Sequence, residues 1–357
     1  MYSWMSHGMK LSAAGLGLLA ATAALAAPSY RIESVAKANG AAPKSVDAIS
    51  DNGNYTGLGV DRVTGQQLKF VSRKGRKIEV LAQSRGPTFG GNADVNNAGT
   101  VVGRYLNGTG GERGGMWKSD GTLTDLGELV GCTDSAGVYP RAINKAGDIG
   151  LQVDCVIDGV AVHGGVLLRD GVRTFLPTLE GGPTYANAMN GLGQFTGSSE
   201  VRLDNGDTVQ QAFIWKDGEG MRALGRRGQE SYGYAINDKG HVIGMKGTIP
   251  DWQPFLYKGA GLLDLPKCPD DRSFWPVAIA NDDSIVGRFQ WSGIPAQTGL
   301  IRNGECQLLE SLLDESGAGW TDLVAEDMNN LGVIVGSGRY QGFLRSFIAR
   351  PIAAEQR

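Results

Sequence analysis

The sequence predicts an all-β protein folded as a seven-bladed β-propeller. A phrase of two short apolar runs joined by Asn-x-x-Gly, clearest at Ala235–Gly244, recurs at intervals of 43 to 49 residues. Two further strand-like runs follow each copy except the last, which has one, and four short strands every ~45 residues are typical of a propeller blade. The 55 glycines in 357 residues are about twice average usage, as many tight turns require.

The first 27 residues have the pattern of a cleaved secretory signal peptide. Lys10 precedes an apolar run from Leu11 to Ala27, which ends in small residues before Pro28. A retained membrane anchor is the alternative, but the run is shorter than the ~20 residues that a span needs. We therefore expect residues 28–357 to be a secreted or periplasmic β-propeller domain with no membrane span.

The seven copies of the phrase can be aligned on the first residue of Asn-x-x-Gly. We call this residue the Asn position and count neighbouring positions from it. Asn tolerates turn conformations and bonds the nearby backbone, and Gly supplies positive φ without steric cost. Two strands joined by this turn form the first half of each blade. The Asn position is occupied by Ser50, Asn96, Asn144, Asn190, Asn237, Ala280 and Asn329.

Third and fourth strands complete each repeat except the last. Gln211–Trp215 typifies the third strand and Met221–Gly225 the fourth. The seventh repeat ends without a fourth strand, and an unattached run, Tyr30–Val35, precedes the first repeat. Pairing Tyr30–Val35 with Phe347–Ile348 would close the ring and remove two exposed sheet edges. An open solenoid is the alternative, although its repeats are usually shorter.

The four cysteines predict two local disulfides. Cys132 and Cys155 lie within one repeat, and Cys268 and Cys306 within another. An even number of cysteines fits an oxidising compartment, whereas a zinc site would need Cys-x-x-Cys or nearby His spacing that the sequence lacks. We expect no metal and no cofactor.

The charge pattern argues against a nucleic-acid partner. The formal net charge is −3, with no basic cluster. A basic residue does follow the third strand of every repeat, but isolated charges are ordinary at exposed turns. These basic residues are Arg73, Lys118, Arg169, Lys216, Lys258, Arg302 and Arg350.

We expect the protein to be a monomer.

At Gln211–Trp215, with Ala-Ile-Asn-x-x-Gly upstream and Asp-Leu-Gly endings downstream, the chain resembles the HAF-repeat extracellular proteins of bacteria. It departs from the His-Ala-Phe triplet that names them, since Gln211 or Gln253 stands nearest to the missing His. The resemblance implies a secreted or periplasmic propeller-like protein. It implies no catalytic residue.

One face of the propeller is predicted to bind ligand. The turns between strands 1 and 2 and between strands 3 and 4 are short and define the turn face. The remaining connections, such as Leu151–Val162, are long and irregular and define the loop face, where binding is usual. Five residues before the Asn position, aromatics occur in register in four consecutive repeats: Tyr139, Tyr185, Tyr232 and Trp275.

These rings would either anchor a carbohydrate or protein ligand at the channel mouth or pack between blades. Further aromatics lie nearby in offset registers. They are Phe89, Tyr234, Phe274 and Trp320.

Acids occupy the position two before the Asn position in two repeats, where the other five have Ala. These are Asp94 and Asp327, with Glu326 beside the latter. Such acids could line a polar channel, hold a cation, act as an acid/base pair or bond the neighbouring backbone.

The sequence therefore supports three hypotheses. The first is a non-catalytic binding module that uses the loop face to bind carbohydrate or protein. The second is an extracellular glycan-active enzyme that uses the channel carboxylates. The third is a structural surface protein with no discrete ligand. Evidence for an enzyme is thin, since no Gly-x-Ser-x-Gly elbow occurs and neither His163 nor His241 lies near a cysteine in the sequence.

Overall fold

A computed structural model describes residues 30–36, 40–86, 93–108, 111–127, 137–157, 159–248, 250–269, 273–289 and 296–352. Within these ranges, strands form seven separate four-stranded antiparallel sheets. Each sheet packs against the next as the blades of a ring. The seven-bladed propeller predicted from the repeats is confirmed.

The strands are numbered β1 to β28 in chain order. The first strand is β1 (Tyr30–Ser34). Blade 1 holds β2 (Ala41–Ile49), β3 (Tyr55–Asp61), β4 (Gln67–Ser72) and β5 (Glu79–Val80). Blade 2 holds β6 (Asp94–Val95), β7 (Val101–Leu106), β8 (Glu112–Trp117) and β9 (Leu123–Asp125). Blade 3 holds β10 (Val138–Ile143), β11 (Ile149–Ile157), β12 (Val160–Arg169) and β13 (Val172–Phe175).

The second half of the ring follows the same order. Blade 4 holds β14 (Thr184–Met189), β15 (Phe195–Arg202), β16 (Thr208–Lys216) and β17 (Gly220–Ala223). Blade 5 holds β18 (Ser231–Ile236), β19 (Val242–Lys246), β20 (Gln253–Tyr257) and β21 (Leu262–Asp264). Blade 6 holds β22 (Phe274–Ile279), β23 (Ile285–Phe289), β24 (Gln297–Arg302) and β25 (Glu305–Leu308). Blade 7 holds β26 (Trp320–Met328), β27 (Ile334–Tyr340), β28 (Phe343–Pro351) and β1.

The two ends of the chain share blade 7, as predicted. β1 pairs antiparallel with β28, and Glu33 lies opposite Ile348 while Ser34 lies opposite Phe347. Tyr30 is fully buried at the start of β1. The ring is therefore closed by hydrogen bonding between strands distant in sequence, and β1 covers the edge of β28 that would otherwise be unpaired.

The Asn position explains why the phrase recurs. In blade 5 the Asn237 side-chain oxygen accepts from the N–H groups of Lys239 and His241, at 3.1 and 3.0 Å. Its Nδ2 donates to the carbonyl of Ala280 in blade 6, at 3.0 Å. One buried side chain thus closes its own turn and joins the next blade. Asn96, Asn190 and Asn329 repeat both sets of bonds.

The core is divided among the seams between blades. Seven clusters of buried apolar side chains each combine residues of two neighbouring blades. At the seam of blades 4 and 5, Ala212 and Leu224 pack against Ile236 and Phe255. Burying one such large apolar side chain contributes about 1.5–3 kcal/mol, so the ring is stabilised mainly by contacts between neighbours.

One expectation about local structure needs correction. Leu151–Val162 is not an irregular loop, because β11 and β12 extend through it and pair as far as Ile157 and Val160. Buried β-forming residues such as Val153 favour the extended backbone there. The short apolar run near Leu308–Leu313 forms a 3-10 helix, Leu309–Leu312, followed by a second at Glu315–Gly317.

The disulfide prediction is confirmed where the structure describes it. Cys268 and Cys306 are joined, with their Cα atoms 4.9 Å apart. Cys155 is also disulfide-bonded, while Cys132, its predicted partner, lies outside the described residues, as do the predicted signal peptide at 1–27 and Phe89. No helix within the described ranges has the length and apolar character needed to cross a bilayer.

Candidate functional site

The innermost strands of all seven blades enclose a central channel. Its walls come from β2, β6, β10, β14, β18, β22 and β26, and it contains a cavity of about 310 Å³. That volume lies at the lower end of the range for small-ligand sites. The channel is therefore a candidate for holding one ligand group.

A β-bulge recurs at the same place in six of these strands. The pairing with the second strand shifts register between Pro140 and Ala142 in blade 3, and at the matching point in five other blades. A bulge leaves one residue unpaired and redirects its side chain. The residue concerned lies three before the Asn position and lines the channel. With Ala93 of blade 2, these residues form the channel ring: Asp47, Ala93, Arg141, Asn187, Tyr234, Val277 and Glu326.

One side of the channel ring is acidic. Asp47 and Glu326 come from the adjacent blades 1 and 7. Glu326 pairs with Arg288 at 3.4 Å, and Asp47 Oδ1 accepts a bond from the Ser45 hydroxyl at 2.7 Å. Asp47 Oδ2 is buried and has no hydrogen-bond partner among the described residues. Burial raises the pKa of both carboxyl groups.

Arg141 stands on the far side of the channel ring from Glu326. Its side chain is accessible from the channel, and it makes no hydrogen bond or ion pair with any described residue. Because the channel walls crowd it, partial loss of solvation, and then repulsion from the Arg104 guanidinium, lower its pKa. The ring therefore presents a positive group opposite negative ones, an arrangement that favours ligands with both acidic and donor groups.

The two acids predicted near the channel, Asp94 and Asp327, are bonded to backbone. Asp94 accepts from the N–H of Ile143 in blade 3 at 2.8 Å and from its neighbour Val95 at 2.7 Å. Asp327 accepts from Ile49 in blade 1 at 2.9 Å and from Met328 at 2.7 Å.

Burial raises the pKa of Asp94 to about 7 and that of Asp327 to about 6. Both carboxylates therefore join neighbouring blades, which was one of the predicted roles. Among the described residues, no group of three or more His, Cys, Asp or Glu side chains is placed to hold a metal ion.

The four in-register aromatics lie near the start of the innermost strands β10, β14, β18 and β22, at the end away from the Asn-x-x-Gly turns. The Arg104 guanidinium lies over the Tyr139 ring, 4.0 Å from its centre. Tyr185 is 37% exposed and lies 5.9 Å, centre to centre, from the His163 ring. His163 itself contacts the Asp154 carboxylate at 3.0 Å. These two positions are accessible and flanked by polar groups.

The other two aromatics contact further rings. Tyr232 lies 5.5 Å from Trp252, a residue of the connection between β19 and β20. Its hydroxyl donates to Glu230 at 2.9 Å, and burial and this bond raise the pKa of Tyr232 to about 12. Trp275 stacks on Tyr234 of the channel ring with an interplanar angle of 13°. The aromatics therefore form a crescent across blades 3 to 6, defined by Tyr139, Tyr185, Tyr232, Tyr234 and Trp275.

Two other aromatics do not join the crescent. Phe274 is buried against Phe289, with ring centres 5.6 Å apart. Trp320 is buried against Tyr340 and Phe347. They pack within or between blades, which is the role that the sequence left open for aromatics at these positions.

The turn face of the channel is bridged by polar groups. Lys145 of blade 3 pairs with Asp51 of blade 1 at 3.0 Å. Asp51 also accepts from the backbone of Asn330, and Asn330 from that of Asn281. This polar belt crosses the channel at its turn-face end.

The basic residues after the third strands are largely bound within the fold. Arg73 donates to Gly99 and Lys118 of blade 2. Arg169 pairs with Asp148 at 3.0 Å and Asp217 at 2.9 Å. Their bonds link neighbouring strands and blades, so they support the turn face instead of forming a free cationic ring.

Sequence reasoning missed Asp47, Arg141 and Arg104. The bulge breaks the two-residue alternation of the inner strand, so a simple strand pattern does not show that residue 141 lines the channel. Arg104 belongs to another blade from the Tyr139 ring that it covers. Variation in residue type across otherwise equivalent positions is the signal that could have identified the channel ring.

No protein-family model and no curated protein matches the sequence. Solved structures match the fold. A chain of a mitotic checkpoint complex aligns with a TM-score of 0.54 at 11% identity, over 98% of this chain and 99% of that one. A prolyl endopeptidase gives 0.54 at 10% identity, over 91% of this chain and 51% of that one. TolB from Agrobacterium tumefaciens gives 0.46 at 12% identity, over 79% and 96%. At such identities the likeness shows the β-propeller fold alone.

Proposed function

We propose that this protein is a non-catalytic binding module that holds a glycan at the loop-face mouth of its channel. The main observation that supports this proposal is the aromatic crescent. Its rings come from four consecutive blades, and Tyr185 is exposed among them. Flat apolar faces with polar groups at their edges bind sugar rings well.

Polar neighbours would orient the sugar. Arg104, His163 and Glu230 each lie beside one aromatic of the crescent. Charged donors and acceptors of this kind bond sugar hydroxyls strongly in a partly dehydrated site. A rigid platform on inner strands with partners from the connections fits recognition without movement of the scaffold.

The bonds of Asp94 and Asp327 support binding over catalysis. Each carboxylate oxygen accepts a backbone N–H, so neither acid is free to exchange a proton with a substrate without breaking a contact between blades. Glu326 lines the channel but is paired with Arg288. A glycan-active enzyme therefore has less support from the geometry.

We further propose that the protein belongs with the HAF-repeat extracellular proteins and acts as a secreted or periplasmic monomer. The Ala-Leu-rich segment before Pro28 supports export. The disulfide between Cys268 and Cys306 supports an oxidising compartment. Fractionation of the producing cells, with mass determination of the mature amino terminus, tests this localisation.

A glycan array followed by calorimetry tests the binding proposal. Tyr185→Ala and Trp275→Ala should each weaken glycan binding by about tenfold or more, because stacking area is lost. Phe175→Ala, which removes an exposed ring from the outermost strand of blade 3, is the matched control and should have no effect. Binding to peptides in place of glycans, or no binding of either, would contradict the proposal, the latter favouring a structural surface protein.

A further inference from the structure

We infer that the glycan is acidic, and that Arg141 in the channel ring binds the carboxylate of a uronic-acid residue. This inference rests on the proposed function and names the substrate class for the same site. It follows from an imbalance among the charged groups of the channel.

Arg141 differs from the other charged side chains that line the channel. Asp94 and Asp327 accept backbone N–H groups, Glu326 pairs with Arg288, and Asp51 pairs with Lys145. Arg141 has no such partner among the described residues. A guanidinium presents a planar fork of donors that matches a carboxylate, so an anionic group of the ligand would satisfy it.

A second guanidinium lies near Arg141. Arg104, which lies over Tyr139 and pairs with Glu112 at 2.9 Å, repels the Arg141 guanidinium. Asp154, the acid whose charge acts on Arg141, is already bound to His163 and Gln152, at 3.0 and 3.1 Å. A ligand carboxylate would therefore relieve the repulsion between two guanidinium groups without displacing an existing ion pair.

The opposite side of the channel ring offers an acceptor. The Glu326 carboxylate lines the channel, stays partly exposed and pairs with Arg288 only at 3.4 Å. A ligand hydroxyl would donate to it in a charge-assisted hydrogen bond. A uronic acid carries both required groups, a carboxylate and several hydroxyl donors, on a ring that can stack on the aromatic crescent.

A neutral sugar would leave Arg141 unsatisfied, and an acidic peptide would make less use of consecutive aromatic faces. Anionic sugars therefore account for three observations together: the crescent, the unpaired guanidinium and the partly exposed Glu326 carboxylate across the ring. No single one of them would distinguish the ligand class.

The test compares trigalacturonate with its carboxyl-reduced trisaccharide, by calorimetry at low and high salt. The two probes differ only in their carboxylates. We expect trigalacturonate to bind about tenfold to a hundredfold more tightly, as a charge-assisted bond contributes. Arg141→Gln should abolish that preference, and Arg141→Lys should retain part of it because the charge remains.

Arg76→Gln is the matched control. It removes the same charge from an exposed turn of blade 1 and should keep the preference intact. Thermal melts of Arg141→Gln should match the wild type, since Arg141 has no described partner to lose.

Equal affinity for the two trisaccharides, or a preference that survives Arg141→Gln, would overturn the inference. If Tyr185→Ala still weakened binding in that case, the glycan-binding proposal would stand alone. Binding of an acidic peptide with no binding of either trisaccharide would overturn both.

Discussion

The Asp94 carboxylate of blade 2 accepts the backbone N–H of Ile143 in blade 3, at 2.8 Å. Asp327 of blade 7 makes the same contact with Ile49 of blade 1, at 2.9 Å. Both acids stand where the other five blades have Ala. At two of the seven seams, a buried carboxylate therefore accepts a hydrogen bond from the next blade. Its ionisation affects the free energy of unfolding.

Asp94→Asn should change how stability depends on pH. Burial raises the folded-state pKa of Asp94 to about 7, above its unfolded value. The folded state therefore binds the proton more tightly, and this group lowers stability progressively as pH rises from about 4 to about 7. The difference in unfolding free energy between Asp94→Asn and the wild type should therefore be larger at pH 8 than at pH 5, by on the order of 2 kcal/mol in favour of the variant. Urea titrations at the two pH values measure the change.

The control for this measurement is Asp120→Asn. Asp120 is exposed in a turn, and hydrogen bonds from the Thr122 backbone lower its pKa. Its contribution is lost only in strong acid, so the variant should track wild type from pH 5 to pH 8. A difference for Asp94→Asn that does not vary with pH would show that the carboxyl group does not titrate in this range.

The double variant Asp94→Asn with Asp327→Asn separates binding from catalysis. If these acids only join blades, the variant should bind glycans as the wild type does, and neither protein should release products from them. Incubation with the bound glycan, followed by mass spectrometry of the sugars, gives the readout. Turnover by the wild type that the double variant lacks would contradict the non-catalytic proposal and favour the enzyme.

Asn237→Ala should destabilise the protein by about 2–4 kcal/mol. The substitution leaves the N–H groups of Lys239 and His241 and the carbonyl of Ala280 without their side-chain partner in a buried site. Chemical denaturation measures the loss. Asn205→Ala, in the exposed turn between β15 and β16, should cost less than about 1 kcal/mol. Equal losses for the two variants would mean that the contact between blades contributes nothing.

The propeller could be predicted because its recurring element, the Asn-x-x-Gly turn, is stabilised by bonds between residues that are close in sequence. The Asn-x-x-Gly turn needs one particular side chain to bond its own backbone, and its spacing therefore survives in the sequence even where the apolar residues vary. Closure could be predicted as well, because Tyr30–Val35 was the one strand-like run without a partner in its own repeat.

The candidate site was harder to predict, because its members share position without sharing residue type. Arg141, Asn187 and Tyr234 occupy the same bulge in successive blades. A repeat search finds what is constant, and these side chains are what varies. The contact between Arg104 and Tyr139 likewise depends on which blades are neighbours, a fact that only the folded ring supplies.

Tyr30→Ala tests closure of the ring directly. Tyr30 is fully buried in β1, and its hydroxyl accepts from Arg302 of blade 6 at 2.9 Å. Removing the ring should cost about 3–5 kcal/mol and speed hydrogen exchange along β28, because β1 would pair less often. Glu33→Ala in the same strand loses only an exposed pair with Arg350 and should cost less than about 1 kcal/mol. If the two variants proved equally stable, pairing of β1 with β28 would not be what holds blade 7 together.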